Sequence, residues 1–404
     1  MIRGSGRAGS RHSHRLITRG GILAHLADDL VIALFARAPF DSHGTIRCVS
    51  RRLNTLLLSS AFLEERTASG CAEYVVILAC GCCGGDGHSD HCYLLVRGSG
   101  RQQIASPLGG RSFACSLVIN SEMWLIGGDS SLDYLDTLAS VEAYSPQTNT
   151  WRELPSLNQA RSDAVCGVVG GQLVVAGGET GLHEHPVFIT LNSVEALNPA
   201  TGCWVSLPPL PHPVAGATAC VLNGQLFVAG GTTQSLTMTT DGMIRESGIT
   251  GFQRLSDTLQ IWDGEQWTIK ANLPTGRACA ASFVHGGKMI VVGGRVPTDV
   301  DNEWGTPSPS VVEYDPQTNR WQIGTPLPSS MSCCSAVEHS GSMIVFGCAR
   351  EPTGDYHRTV GRTLRYEQGT WHEVPADDCL SLGPPEGRAA GDIGGAAVQS
   401  LLLG

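Results

Sequence analysis

The hydrophobic positions of this chain recur with a period of 50 to 63 residues. In each unit an apolar run ends in a glycine, usually a doublet, and a polar loop and a short alternating segment such as Val141-Glu142-Ala143-Tyr144 follow. The first glycines are Gly127, Gly177, Gly230, Gly293 and Gly347, and the later tryptophans are Trp151, Trp204, Trp267, Trp321 and Trp371. A glycine doublet and a late aromatic residue at such a period are typical of the blades of a β-propeller.

Within each unit the pattern predicts four antiparallel strands. Continuous apolar runs such as Val174-Val175-Ala176 indicate buried inner strands. The alternating segment indicates a half-buried third strand. A turn with proline at its first central position, as in Asp315-Pro316, then leads to the tryptophan that begins the outer strand.

The two ends of the repeat region differ from the other units. The first unit, Tyr74 to Leu108, has an inner apolar strand but no tryptophan, and Arg388 to Gly404 offers an entering strand with no blade after it. The simplest interpretation is that this last segment completes the first blade, which gives six blades. A truncated seventh blade is the alternative.

The repeat resembles the kelch motif, because the doublet, Glu-x-Tyr, the tryptophan and Leu-Pro recur together and in this order. The resemblance implies a mainly β fold, a kelch-type propeller of six four-stranded blades over residues 71–404. It also implies a protein-binding role, since kelch adaptors hold acidic peptide segments at one mouth of the channel.

Residues 23–70 have the pattern of a small helical module. Leu26, Leu30, Leu34 and Phe35 recur at helical spacing, and Pro39 is expected to end this first helix. A second apolar run begins at Ile46. So short a module makes a poor core alone, and apolar residues on more than one face suggest that it docks on a partner. A helical cap on the propeller is the alternative.

The segments Leu26 to Pro39 and Arg47 to Leu53 resemble the F-box motif. The family's usual proline is replaced here by Ala27 and its usual tryptophan by Leu53. The resemblance implies docking on the Skp1 subunit of an SCF ubiquitin ligase. The docking residues that it implies are Leu26, Leu30, Ile32, Leu34, Phe35 and Val49.

An arginine recurs at one position of the repeat. Arg111, Arg161, Arg277 and Arg388 each lie 16 residues before a glycine, at Gly127, Gly177, Gly293 and Gly404. Equivalent positions form a ring around a propeller channel, so the spacing predicts a substrate-binding mouth whose guanidinium groups recognise carboxylates or phosphates. The alternative is that each arginine pairs with an acid of its own blade.

Composition narrows the classes of function. A net charge of −10 argues against a nucleic-acid binder, and no apolar run is long enough to span a membrane. The 15 cysteines do not form the dense pattern of a disulfide scaffold, which favours reduced thiols and a cytoplasmic or nuclear protein. Residues 1–22 are rich in arginine and glycine and are expected to be a disordered basic tail, with a targeting peptide as the alternative.

Candidate chemistry is sparse. The residues Cys80, Cys82, Cys83, His88, His91 and Cys92 offer zinc ligands without a familiar spacing, and packing of Cys80 in a strand is the alternative. No nucleophile elbow, phosphate loop or HExxH segment is present. We therefore expect no cofactor and no catalysis. A substrate adaptor of an SCF ligase is favoured, and a kelch scaffold or a metal-dependent propeller enzyme are the alternatives.

Overall fold

The computed structural model of the protein describes residue 23 and residues 26–38, 40–79, 92–96, 100–130, 136–182, 187–233, 236–238, 244–246, 254–297, 305–339, 341–350, 359–375 and 397–403. The chain divides into two compact units, residues 1–73 with 402–404 and residues 74–401. The predicted basic tail, residues 1–22, lies outside the described residues.

Four short helices lie in the described part of the first unit. They are α1 (Asp28–Phe35), α2 (Phe40–Arg47), α3 (Arg51–Leu57) and α4 (Ser60–Ala68). Two acids in the first turn of α1 complement the helix dipole, and the hydroxyls of Ser50 and Ser59 accept hydrogen bonds from backbone amides that begin α3 and α4. The helical module predicted from the apolar spacing is therefore present as a set of capped helices.

This helical unit has a hydrophobic core of its own. Its buried members are Val31, Ile32, Ala36, Leu53, Leu56, Leu57 and Phe62, with Leu23, Leu26, Phe35 and Ile46 packed against them. Arg66 is fully buried beside this core, and its Nη1 donates to the carbonyl of Ala36 at 2.9 Å. That bond satisfies a carbonyl at the end of α1 and ties α4 to it.

The second unit is built from short strands. The first group is β1 (Glu73–Ala79), β2 (Cys92–Val96) and β3 (Gly100–Ile104). The second is β4 (Arg111–Ser112), β5 (Cys115–Ile119), β6 (Glu122–Ile126), β7 (Asp129–Ser130), β8 (Val141–Ser145) and β9 (Thr150–Leu154). The third is β10 (Val165–Val169), β11 (Gln172–Ala176), β12 (Glu179–Leu182), β13 (Val187–Thr190), β14 (Val194–Asn198) and β15 (Cys203–Leu207).

Three further groups complete the unit. The fourth is β16 (Thr218–Leu222), β17 (Gln225–Ala229), β18 (Thr232–Thr233), β19 (Leu236–Met238), β20 (Ile244–Glu246), β21 (Arg254–Leu255), β22 (Leu259–Trp262) and β23 (Trp267–Ile269). The fifth is β24 (Ala281–His285), β25 (Lys288–Val292), β26 (Arg295–Val296), β27 (Thr306–Pro307), β28 (Val311–Asp315) and β29 (Arg320–Ile323). The sixth is β30 (Ser332–His339), β31 (Ser342–Arg350), β32 (Thr359–Glu367) and β33 (Thr370–Glu373), and β34 (Ala397–Leu403) follows.

These strands form six four-stranded antiparallel sheets in the described part of the chain, as the sequence predicted. Blades 2 to 6 have the orders β5-β6-β8-β9, β10-β11-β14-β15, β16-β17-β22-β23, β24-β25-β28-β29 and β30-β31-β32-β33. The innermost strands of neighbouring blades contact one another, for example β10 with β16. Blade 1 has the order β3-β2-β1-β34, so the last strand supplies the innermost position of the first blade. The predicted closure of a six-bladed ring is confirmed.

In blades 2 to 6 the tryptophan of the outer strand contacts the preceding blade. Trp204 is 6% exposed, and its indole Nε1 donates to the carbonyl of Pro155 at 2.8 Å. The indoles of Trp151, Trp267, Trp321 and Trp371 make the same type of bond to backbone carbonyls 46 to 59 residues earlier. Each ring therefore packs between blades and satisfies its only donor on the chain segment behind it.

A backbone belt joins the blades around the channel. The amides of Asp163, Gly216 and Cys279 each donate at 2.9 Å to the carbonyl of the equivalent residue one blade earlier, and the amide of Cys334 donates at 3.1 Å to Cys279. Four non-glycine residues on this belt have φ between 50° and 55°: Phe113, Asp163, Cys279 and Cys333. Such left-handed geometry costs free energy for an L-residue, and the interblade hydrogen bonds offset that cost.

Candidate functional site

The repeated arginines lie inside the blades. Arg161 is 1% exposed; its Nη1 donates to the carbonyls of Gly177 at 2.7 Å and Ser193 at 3.0 Å, and its Nη2 pairs with Glu195 at 2.7 Å. Arg111 makes the same set of bonds in its own blade and pairs with Glu142. Each guanidinium therefore clamps the second and third strands of one blade, and the acid that neutralises it is the Glu of the Glu-x-Tyr segment.

Arg277 has the clamp position without the ion pair. It is 2% exposed, and its Nη1 donates to the carbonyls of Gly293 at 3.2 Å and Ser310 at 3.4 Å. Burial lowers the pKa of Arg277 to about 10. The position of Glu142 and Glu195 is held in this blade by Val312, which pairs in register with Val291. The next residue, Glu313, pairs with Lys288 at 3.3 Å.

The predicted substrate-binding ring is therefore not formed by Arg111, Arg161 and Arg277. Their guanidinium groups are buried and occupied by carbonyls of their own blades, so they present no donor to a solvent-borne anion. The alternative of pairing within a blade describes Arg111 and Arg161. Arg388 lies outside the described residues. The glycine 16 residues after it, Gly404, comes after the innermost strand β34, whereas Gly127, Gly177 and Gly293 each follow the second strand of a blade.

The residue after each glycine doublet occupies a second equivalent position. In four blades this residue forms a backbone β-bridge with the residue that follows the clamp position. The four residues are Asp129, Glu179, Thr232 and Arg295. Asp129 and Glu179 come from neighbouring blades and influence each other's charge, whereas Arg295 belongs to a blade farther round the ring. These positions bring acids to one side of the ring and a base to another.

Three carboxyl groups on the acidic side hold their protons unusually tightly. Burial raises the pKa of Asp129 to about 6 and, together with the charge of Asp129, raises that of Glu179 to about 7. Burial and the charges of Glu179 and Asp129 raise the pKa of Asp163 well above its ordinary value. Since the folded state favours the neutral acids, each deprotonation on the acidic side opposes folding.

We expect Glu179→Gln to stabilise the protein at pH 8 and to have little effect at pH 4.5. The free energy of unfolding of the natural protein should fall as pH rises from the unfolded pKa of about 4.3 to the folded pKa of about 7, because the folded state binds the extra proton over that window. The gain at pH 8 should approach about 3 to 4 kcal/mol, since the pKa rises by roughly 2.7 units at about 1.4 kcal/mol for each unit. Urea denaturation at the two pH values measures it.

The exposed residue Glu153 supplies the control for this experiment. Glu153→Gln should change the free energy of unfolding equally at pH 8 and pH 4.5, because an exposed carboxylate keeps similar surroundings when the chain unfolds. A gain from Glu179→Gln that is the same at both pH values would contradict the assignment.

The channel itself is a cavity of about 240 Å³ lined by small side chains. Five blades contribute four consecutive residues each: 113–116, 163–166, 216–219, 279–282 and 333–336. Alanine occupies the second place in four of these segments, and its methyl group packs against the second glycine of its own doublet, for example Ala164 against Gly178. In these four blades a glycine without a side chain therefore lies beside each alanine of the lining, and Cys334 holds the same place in blade 6.

The helical unit carries an exposed apolar face. Leu30 is 55% exposed and Leu34 is 56% exposed, one turn apart on α1, and Val49 is 70% exposed after α2. Leu26, Ile32 and Phe35 belong instead to the core of this unit or pack against it. The six residues that the F-box resemblance implied for docking thus divide into three on the surface and three that hold the helices together.

Metal ligands and membrane spans were also sought in the described ranges. No group of three or more His, Cys, Asp or Glu side chains there is arranged to hold a metal ion. Of the residues considered for zinc, Cys92 is buried in β2, and Cys80, Cys82, Cys83, His88 and His91 lie outside the described residues. None of the described helices combines the length and the hydropathy needed to cross a membrane.

Comparison with known proteins identifies the repeat. The Kelch motif matches residues 110–158, 160–211 and 276–328. Kelch-like protein 35 of Mus musculus is 26% identical over 263 residues, which is 64% of this chain and 38% of that protein. Kelch-like protein 33 of Homo sapiens is 34% identical over 131 residues, which is 32% of this chain and 24% of that protein.

A viral relative and a solved structure extend the comparison. Kelch repeat protein M-T8 of Myxoma virus is 26% identical over 272 residues, or 64% of this chain and 47% of that protein. This chain spans less than half the length of the three relatives. The structure of YjhT matches with a TM-score of 0.52 at 14% identity, over 71% of this chain and 91% of YjhT, which shows a shared fold.

Proposed function

We propose that this chain, a six-bladed kelch β-propeller preceded by a helical module, is a non-catalytic substrate-recognition adaptor of an SCF-type ubiquitin ligase. The helical module would dock on Skp1, and the propeller would bind the target protein. The kelch motifs and the kelch-like relatives support the coarser part, a protein-binding kelch scaffold. The single observation that carries the finer part is the exposed apolar face of Leu30 and Leu34 on α1, and Val49 is exposed as well.

The exposed face is not needed for the core of its own unit. That core is closed by Val31, Ile32 and the leucines of α3, while Leu30 and Leu34 point away from it with more than half of their surface in water. Burying a leucine side chain gains about 1.5–3 kcal/mol, so leaving two exposed on one helix face forgoes stability. An apolar helix face of this kind fits a hydrophobic groove on a partner protein.

The propeller would act by holding the target. The kelch motifs and the kelch-like relatives support this protein-binding role. An adaptor that holds a substrate lysine near a ligase-bound conjugating enzyme raises the effective concentration of that lysine. This role requires no catalytic residue of its own, and it would be carried out in the cytoplasm or nucleus.

Binding of purified full-length chain to Skp1 tests the proposal. We expect the natural protein to bind and Leu30→Asp plus Leu34→Asp to weaken binding at least about 100-fold, because two carboxylates would face an apolar groove. Val205→Asp plus Ile323→Asp is the matched control, since these exposed residues lie on outer propeller strands. Absence of binding, or equal loss in the control, would count against Skp1 docking and leave a kelch scaffold for other proteins.

A further inference from the structure

Thiol groups meet in pairs across blade boundaries in the channel. Cys115 of β5 raises the pKa of the Cys166 thiol in β10, and Cys333 of β30 raises the pKa of the Cys279 thiol just before β24, so the two thiols of each pair lie close together. All four residues line the channel, and each retains some exposure. Both pairs therefore join neighbouring blades and can be reached by a molecule small enough to enter a cavity of about 240 Å³.

The backbone places Cys279, just before β24, beside Cys333 of β30 in the next blade. The two residues occupy the same place of the belt in consecutive blades, with φ of 53° and 50°. The amide of Cys334 donates to the carbonyl of Cys279 at 3.1 Å, which fixes the two main chains side by side. Cys333 also lies within a register shift between β30 and β31, a local irregularity of the kind that re-aims a side chain.

The electrostatic surroundings give the two thiols different roles. The hydrogen bond to Cys333, and then burial, raise the pKa of Cys279 well above its ordinary value, so Cys279 is the donor and keeps its proton. Because Cys279 is the thiol that keeps its proton, we assign the first attack to Cys333. The guanidinium of Arg295 adds positive charge nearby, and Asp163 favours its neutral form.

We propose that Cys279 and Cys333 are a modification site at which a hydroperoxide forms a disulfide between blades 5 and 6. The sulfur of Cys333 attacks one peroxide oxygen, the O–O bond breaks, and water leaves, which gives a sulfenic acid on Cys333. The sulfur of Cys279 then attacks the sulfenic sulfur, the S–S bond forms, and a second water leaves. Two thiols lose two electrons and two protons, and hydrogen peroxide is reduced to two waters.

The product would change the channel as well as the stability of the ring. A covalent link would join the inner ends of β24 and β30, where the described chain has only the belt hydrogen bond and the packing of the two strands. It would also remove the thiol donor beside Asp163 and Arg295. The disulfide would therefore restrain the part of the channel wall that lies beside Asp163 and Arg295.

Peptide mapping of the full chain under non-reducing conditions tests this assignment. We treat the reduced, folded protein with hydrogen peroxide and expect loss of two free thiols and a linked pair of peptides that contain Cys279 and Cys333. Cys279→Ser should abolish the link and leave a sulfenic acid on Cys333 that dimedone traps. Cys333→Ser should abolish both the link and the dimedone adduct at these positions.

Cys220→Ser is the control, because burial raises the pKa of this thiol to about 12 and it lies in β16 of another blade. It should leave the rate and the site of linkage unchanged. Linkage that appears only after denaturation, or an equal mixture of pairings among the cysteines, would overturn the proposal. So would selective linkage of Cys115 to Cys166 alone. The result for the natural protein decides the matter even if a serine variant fails to fold.

Discussion

Replacing Arg161 by alanine is expected to lower the free energy of unfolding by about 3–5 kcal/mol, the usual cost of breaking a buried ion pair from one side. Its side chain is fully buried, and Glu195 would lose the only cation that neutralises it among its described partners. The carbonyls of Gly177 and Ser193 would lose a donor at the same time. Urea denaturation of the two proteins at pH 7 measures the difference.

Blade 4 supplies a natural control for this clamp. There Val214 occupies the arginine position and Gln260 the glutamate position. The side-chain amide of Gln260 accepts a hydrogen bond from the backbone amide of His212 and donates one to the carbonyl of His212. Arg161→Val plus Glu195→Gln should therefore recover at least half of the loss, because neither charge remains buried alone. A double variant as unstable as Arg161→Ala would show that the hydrogen bonds to carbonyls, and not the unpaired charge, dominate.

Gly127→Ala is expected to cost at least about 3 kcal/mol, since it combines strain with a collision that the backbone cannot relieve. A Cβ atom at this position would lie 2.2 Å from the carbonyl oxygen of Arg161 in the next blade, and φ is +64°. That carbonyl also accepts the amide of Gly128 at 2.9 Å, so moving it breaks an interblade hydrogen bond. Thermal and urea denaturation both report the loss.

Gly170→Ala separates the two contributions. This glycine has a φ of +57°, close to that of Gly127, but a Cβ atom there would meet nothing within 4 Å. It should cost only about 1 kcal/mol, the penalty of a left-handed backbone for an L-residue. Equal losses at Gly127 and Gly170 would mean that the positive φ alone requires glycine in the doublet. The close approach of the next blade would then add nothing to the cost of a side chain.

The periodic part of the sequence predicted the architecture well because each blade repeats the same local rules. The doublet marked the end of the second strand in blades 2 to 5, whereas Gly347 of blade 6 lies inside β31. The tryptophan marked the outer strand of blades 2 to 6. Closure by the last strand followed from counting incomplete units at the two ends. These features depend on strand alternation and turns, which are local properties of the chain.

The site could be predicted less well, because burial depends on neighbouring blades. Spacing correctly placed Arg111, Arg161 and Arg277 at equivalent positions, but it could not show that each side chain turns into its own blade. The sequence did contain a sign that each arginine pairs within its own blade. Blades 2 and 3 combine Arg with Glu, whereas blade 4 has uncharged residues at both positions. The charged positions that do influence one another, Asp129 and Glu179, follow the doublet and were not singled out.

The same limit applies to the helical unit. A helical pattern shows which residues are apolar but not which of two faces the core will take, so Leu30 and Ile32 looked alike as docking residues. In the structure Ile32 is 9% exposed and Leu30 is 55% exposed. The prediction that this unit docks on Skp1 stays a prediction, and the surface residues Leu30, Leu34 and Val49 are where it is to be tested.

The position of β34 in the first blade has a consequence for synthesis on the ribosome. The inner edge of β1 acquires its partner only after the whole of the five following blades has been translated. Until then β1 presents unpaired amides and carbonyls next to an apolar sequence, which is the kind of edge that pairs with other chains. The ring therefore cannot close before its last strand has been synthesised, and until then the edge of β1 is open to pairing with another chain.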